Sequence, residues 1–178
     1  ITLKNQLPAG VYAKDLSLYI IGKIGSAGAN YLSIEYHGEG VKTLDISERM
    51  TLANLASEMG AKNAVFPPDE VLSSFINDKT IMKNGLWADE NANYLFEFEI
   101  DMSELYPLVA APHHVDNVKS VFELTGTPVN QGLIGTCTNG RIEDLRIASE
   151  ILKNQKVAKG FQLLIIPASS QIFLQAAN

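Results

Sequence analysis

Residues 131–152 read QGLIGTCTNGRIEDLRIASEIL. The run Gly132–Gly135 is short and apolar, which predicts a buried strand, and Ile142, Leu145, Ala148 and Leu152 recur at the spacing of one buried helix face. The turn between them holds Cys137, with Thr136, Thr138 and Asn139 around it. In an α/β sheet, ligands gather at the carboxyl ends of strands, so this turn is where a site is expected. A thiolate there can attack a carbon or ligate a metal. The plainer reading of a lone cysteine is a buried structural thiol, and the glycines and hydroxyls on both sides argue against it.

The same alternation extends outward. YLFEFEI (94–100) reads as a strand, and LVAAP, DNVKSVFEL, RIEDLRIASEILK, FQLLIIP and SSQIFLQAA follow with strand-like and helix-like patterns in turn, the signature of α/β layers with mostly parallel strands. Upstream, VYAKDLSLYIIGKI (11–24) puts Leu16, Tyr19, Ile20 and Lys23 at helical spacing, with Gly25–Gly28 as its stop. YLSIEYHG (31–38) alternates like a half-buried strand. From Ser47 to Met59 the apolar positions Leu52, Leu55, Ala56 and Met59 define a helix ended by Gly60, and Ser47, Thr51, Asn54 and Glu58 form its polar stripe. NAVFPP (63–68) reads as a strand into a turn and DEVLSSFIND (69–78) as a helix with an acidic first turn. The polar stretch 77–93 is long for a connection and reads as a functional loop or a joint.

Composition narrows the function. The 178 residues carry 14 Lys and Arg against 20 Asp and Glu, a net charge of −6 with no basic cluster, which excludes an electrostatic nucleic-acid binder and disfavours an anionic membrane surface. No apolar run is long enough to span a bilayer. One cysteine rules out an internal disulfide and any multi-thiolate zinc site within the chain. The opening ITLKNQ has no secretory character, so a cytoplasmic origin is expected, and Ile1 suggests a piece of a longer chain. A phosphatase-type cysteine loop fails because position 143 is Glu143 where an arginine is needed, and a Walker loop fails at Gly140-Arg141-Ile142. His113 and His114, between Pro112 and Asp116, read as a loop entering a helix. Asn54 and Glu58, four residues apart, share one helix face, either as solvated surface or as an amide and carboxylate presented to a cleft.

These residues together resemble the aconitase superfamily, most closely the large subunit of its isopropylmalate dehydratase and homoaconitase branch. The resemblance rests on GTCTNGRIEDLRIASEIL, GVYAKDLSLYIIGKIG, YLSIEYHGEG, RMTLANLASEMGAKNAVFPPDE, PHHVDNV and LLIIPAS, and so covers nearly the whole chain. It implies three-layer α/β/α subdomains, one over residues 1–103 and the beginning of a cluster-binding one over 104–178. It further implies a 4Fe-4S cluster held by three cysteines, of which Cys137 is the first and the iron ligand, with Thr136 and Asn139 beside the cluster. Asn54 and Glu58 match the family's catalytic amide and carboxylate. The other two cysteines belong to a downstream Cys-x-x-Cys that this sequence lacks, and the serine base and substrate-binding arginines belong to a small, swivelling subunit. The chain is therefore expected to be an interior piece of a hydro-lyase large subunit, inactive and without cluster on its own. Its parent would dehydrate and rehydrate a small polycarboxylic hydroxy acid of the isopropylmalate, homocitrate or citrate type, as in leucine biosynthesis. The rival class is a noncatalytic α/β binding or assembly module in which Cys137 is structural.

Overall fold

Parallel strands cannot be joined by a tight hairpin and need a crossover, usually a helix. The computed structural model, which describes residues 1–177, supplies that connection repeatedly. Strand β1 (Thr2–Lys4) leads into helix α1 (Ala13–Ile24), then β2 (Ser33–Glu35), helix α2 (Ile46–Leu55) and β3 (Asn63–Val65). Helices α3 (Glu70–Ile76) and α4 (Ile81–Asn84) precede β4 (Glu99–Asp101). Strand β2 pairs with β3 and β1 with β4, both parallel. The two pairs are themselves joined beyond the end of β2: His37 N donates to Ile1 O at 2.8 Å and Leu3 N donates to His37 O at 2.7 Å. The strands thus lie in the order β3, β2, β1, β4.

The core follows from the periodicities. On α1, Leu16, Ile20 and Ile21 are buried, with Tyr19 half-buried and Lys23 exposed. On β2 the alternation holds, since Ile34 and Tyr36 are buried between the less buried Ser33, Glu35 and His37. Tyr36 stacks on Phe66 with ring centroids 4.7 Å apart. Leu3, Leu52, Met59 and Met102 complete this core.

Packing divides the chain into two compact units, residues 1–123 and a second from Leu124 on. The first ends with an antiparallel hairpin, β5 (Leu108–Ala110) and β6 (Val118–Ser120), which packs on α1 so closely that a Cβ on Gly22 would lie 3.0 Å from Val118 Cβ. The second unit has β7 (Gln131–Gly135), the single turn α5 (Thr136–Asn139), α6 (Ile142–Leu152), β8 (Gln162–Ile166) and α7 (Ser170–Ala177). Its two strands are parallel, Gln131 opposite Gln162 through Gly135 opposite Ile166. This is the α/β architecture with mostly parallel pairing that the sequence pattern predicts.

Three local expectations are corrected. YLFEFEI is not a strand throughout: pairing begins at Glu99, opposite Thr2, and 94–98 runs as an irregular strap. The helix expected over 47–59 is α-helical only to Leu55 and tightens into a 3₁₀ turn over Ala56–Met59 before Gly60, whose φ of 78° makes the left-handed cap. His113 and His114 sit in the exposed β5–β6 hairpin loop and lead into a strand, not a helix, because Val115 and Val118 turn onto the core.

Candidate functional site

In the first unit, the candidate residues lie where α2 gives way to the 3₁₀ turn. Asp45 caps α2, accepting from Glu48 N at 2.8 Å while Glu48 Oε2 accepts from Asp45 N at 2.9 Å. Burial raises the Glu48 pKa, and the Asp45 N–H opposes that shift. Asn54 and Glu58 are both exposed at the far end of this element, one turn apart. Thr51 departs from the expected polar stripe. It is 2% exposed, and its hydroxyl donates back to Ser47 O at 3.1 Å, satisfying the group inside the packing instead of in solvent.

The 3₁₀ turn is held from outside the helix. Ala29 N donates to Met59 O at 2.9 Å, Tyr31 N to Gly60 O at 3.1 Å and Lys62 N to Leu32 O at 2.8 Å. Glu58 therefore projects from a backbone fixed on both sides. At the start of α2, Arg49 reaches Asp69 with both terminal nitrogens, at 2.9 and 2.6 Å, and also Leu44 O and Val41 O. Sequence reading misses this ion pair, because its partners lie on different elements. It also misses a cluster at the end of β2, where Glu35 Oε2 accepts from Tyr94 Oη at 2.6 Å and lies 3.1 Å from His37 Nε2. Its one sequence signal is that Glu35 and His37 are two apart on an alternating strand.

In the second unit, the strand-turn-helix reading places Cys137 as expected, exposed in the turn after β7. The backbone there is unusual. Gly135 has φ 122°, and a Cβ on it would fall 2.0 Å from Ile166 O. A Cβ on Gly140 would lie 2.5 Å from Thr136 O, and Gly140 O accepts from Ala168 N at 2.8 Å. Thr136 itself has φ 70°, a left-handed value costly for a β-branched residue. Two glycines and a strained threonine thus press the Cys137 turn against the end of β8. Arg141 Nη1 donates to Thr138 O at 2.6 Å, and Asn139 Nδ2 to Asp144 Oδ1 at 3.0 Å, tying the turn to the start of α6. Thr136 and Asn139 are half-buried beside the exposed sulfur.

An iron–sulfur cluster needs several soft ligands converging on it. Among the described residues no group of three or more His, Cys, Asp and Glu side chains could hold a metal, and Cys137 is the sole cysteine. The exposed thiol on a rigid turn fits one ligand of such a cluster. The chain does not supply the whole set.

The model of the aconitase family (aconitate hydratase) matches residues 1–125 and 117–178. The chain belongs to the aconitase family. It is 47% identical over 176 residues to a probable methanogen homoaconitase large subunit of Methanosarcina mazei, covering 98% of this chain and 44% of that one. It is 45% identical over 182 residues to 3-isopropylmalate dehydratase large subunit 2 of Archaeoglobus fulgidus, covering 100% and 43%. With the 3-isopropylmalate dehydratase large subunit of Elusimicrobium minutum it shares 47% over 178 residues, covering 99% and 43%. This aconitase-family chain thus spans less than half the length of these relatives. Among the described residues no helix is long and apolar enough to cross a membrane.

Proposed function

We propose that this chain contributes part of the active site of a cytoplasmic hydro-lyase large subunit, which interconverts hydroxy-acid isomers of the isopropylmalate, homocitrate or citrate type by dehydration and rehydration. The relatives' names support that substrate class and a small partner subunit. The observation that carries the reading is the Cys137 turn: an exposed thiol held by Gly135, Thr136 and Gly140 at the carboxyl end of a parallel strand.

Cys137 would be one ligand of a 4Fe-4S cluster whose remaining ligands come from residues outside this chain, with Thr136 and Asn139 flanking it. When bound, such a cluster supplies Lewis acidity toward a hydroxyl and a carboxylate. The chain's own part lies in Asn54 and Glu58. Glu58 offers a carboxylate that can hold or pass a proton at the carbon or oxygen being exchanged, and Asn54 offers an amide that can orient a substrate oxygen. The clamp on the 3₁₀ turn fixes the backbone from which that carboxylate projects, and a fixed backbone favours positioned proton transfer.

The test is Cys137→Ser in the longer protein of which this sequence forms part. Cluster iron and the absorption near about 400 nm that iron–sulfur charge transfer gives should fall together. Unchanged iron content would return Cys137 to a structural role and leave the noncatalytic module as the better account.

A further inference from the structure

The turn that carries Cys137 is held on two sides by different means. Against β8 it is held by close backbone approach, at Gly135 and Gly140. Against α6 it is held by one side chain that acts twice. Asp144 Oδ2 accepts from Arg141 N at 3.0 Å, and Asp144 Oδ1 accepts from Asn139 Nδ2 at 3.0 Å.

The first of these bonds is helix capping. Asp144 is the third residue of α6, and its carboxylate reaches back to the residue that precedes the helix. Arg141 has no side-chain acceptor with which to return the bond, so Asp144 makes its half of the capping pair alone. The second bond does nothing for the helix. It places the other carboxylate oxygen on a side chain of the turn, two residues beyond Cys137. Arg141 Nη1 adds its bond to Thr138 O at 2.6 Å. Thr138 and Asn139, the two residues that follow the cysteine, are thus both tied to the start of α6.

The chemistry of the Asp144–Asn139 bond also decides which way the amide faces. A carboxylate only accepts, so the end of Asn139 that meets Asp144 is its NH2 group, and the amide oxygen is turned the other way into a buried position. Asp144→Asn replaces one acceptor oxygen with an NH2 group. Either the cap or the Asn139 bond must then go, or Asn139 must turn over.

We propose that Asp144 is a positioning residue for the cluster site, holding the Asn139 amide in one orientation beside the Cys137 turn. This rests on the reading of Cys137 as a cluster ligand. Groups that orient the surroundings of a metal ligand typically change metal affinity by about 10–100-fold when they are removed.

The test compares Asp144→Asn with Ala148→Gly, which weakens α6 through its helix propensity and leaves the turn untouched. In the ¹⁵N-labelled 178-residue chain, the side-chain NH2 signals of Asn139 should move in Asp144→Asn and stay in place in Ala148→Gly. In the longer protein, Asp144→Asn should lose cluster iron to a ferrous chelator about tenfold faster than wild type and shift the g values of the reduced cluster. Ala148→Gly should keep both at their wild-type values. Unmoved Asn139 signals in Asp144→Asn, wild-type iron loss and g values in that variant, or the same changes in Ala148→Gly, would overturn the proposal. Cys137→Ser separates this failure from that of the reading beneath it. If Cys137→Ser keeps its iron, the ligand assignment falls and this proposal with it; if it loses its iron while Asp144→Asn does not, only the positioning role falls.

Discussion

Arg49 and Asp69 meet end to end, Nη1 on Oδ1 at 2.9 Å and Nη2 on Oδ2 at 2.6 Å, with both side chains almost wholly buried. The pair joins α2 to the cap of α3, since Asp69 Oδ1 also accepts from Leu72 N at 3.0 Å. Every other acceptor of the guanidinium is a backbone carbonyl, of Leu44 or Val41. One side chain therefore ties together the segment before α2, the first turn of the helix and the start of α3.

Removing one partner strands the other charge in the interior. Arg49→Met should destabilise the chain by about 3–5 kcal/mol, because the buried carboxylate loses its counterion, whereas the pair itself is worth much less than that. Urea unfolding followed by circular dichroism reads the difference. A cost below about 1 kcal/mol would show that Asp69 reaches water or protonates readily once alone.

The same pair sets an acid limit. Burial raises the Asp69 pKa, but the Arg49 hydrogen bonds and the cap bonds outweigh it, so the pKa lies below the ordinary 3.8. A carboxylate with a depressed folded pKa contributes stability that is fully present above the unfolded value and is lost as pH falls through the folded one. Stability of the wild-type chain should therefore drop below about pH 4, and the Asp69→Asn variant should lose part of that slope. Identical slopes for the two proteins between about pH 4 and pH 2 would remove Asp69 from the account.

How much of this was legible in the sequence depends on whether the determining contacts are local. The strand-turn-helix at 131–152, the α1 face and the Gly60 cap are local patterns, and each stands where the sequence puts it. The strap at 94–98 alternates like a strand but is unpaired until Glu99, because pairing depends on a partner distant in sequence and not on alternation. Thr51 looks like surface on a helical wheel and is inside, because its hydroxyl can close on Ser47 O. The Glu35, His37 and Tyr94 cluster joins residues nearly sixty positions apart, beyond any local signal. The Cys137 turn and the shared face of Asn54 and Glu58 are legible as local patterns, their roles come from the family resemblance, and all three side chains are exposed.

The Cys137 turn makes its own prediction about glycine. Gly135→Ala would place a methyl 2.0 Å from Ile166 O and keep φ at 122°, where only glycine is at ease. Strain of about 1–3 kcal/mol from the backbone alone, with the clash added, should loosen the pairing of β7 with β8. Amide exchange should then quicken across 131–135 and 162–166 while Leu16 and Leu52 in the first unit keep their protection. Unchanged protection around Gly135 would mean the turn can relax without moving the thiol.

Glu58 gives the most direct test of the proposed chemistry, because its burial and its proposed role predict opposite sensitivities. The side chain is exposed, so Glu58→Gln, which keeps its shape, should change the stability of the 178-residue chain by no more than about 0.5 kcal/mol. If the carboxylate holds or passes a proton, the same change in the longer protein, assembled with the small subunit proposed for it, should lower kcat by roughly 10²–10⁴-fold. KM should move far less, since the amide of glutamine still offers a hydrogen-bonding oxygen but cannot serve as a base. Glu70→Gln, an equally exposed change on α3, is the control and should leave kcat alone. Wild-type turnover in Glu58→Gln would put the residue back on a solvated helix face. A fall in kcat matched by an equal fall in stability would show that the 3₁₀ turn had been disturbed instead of the chemistry.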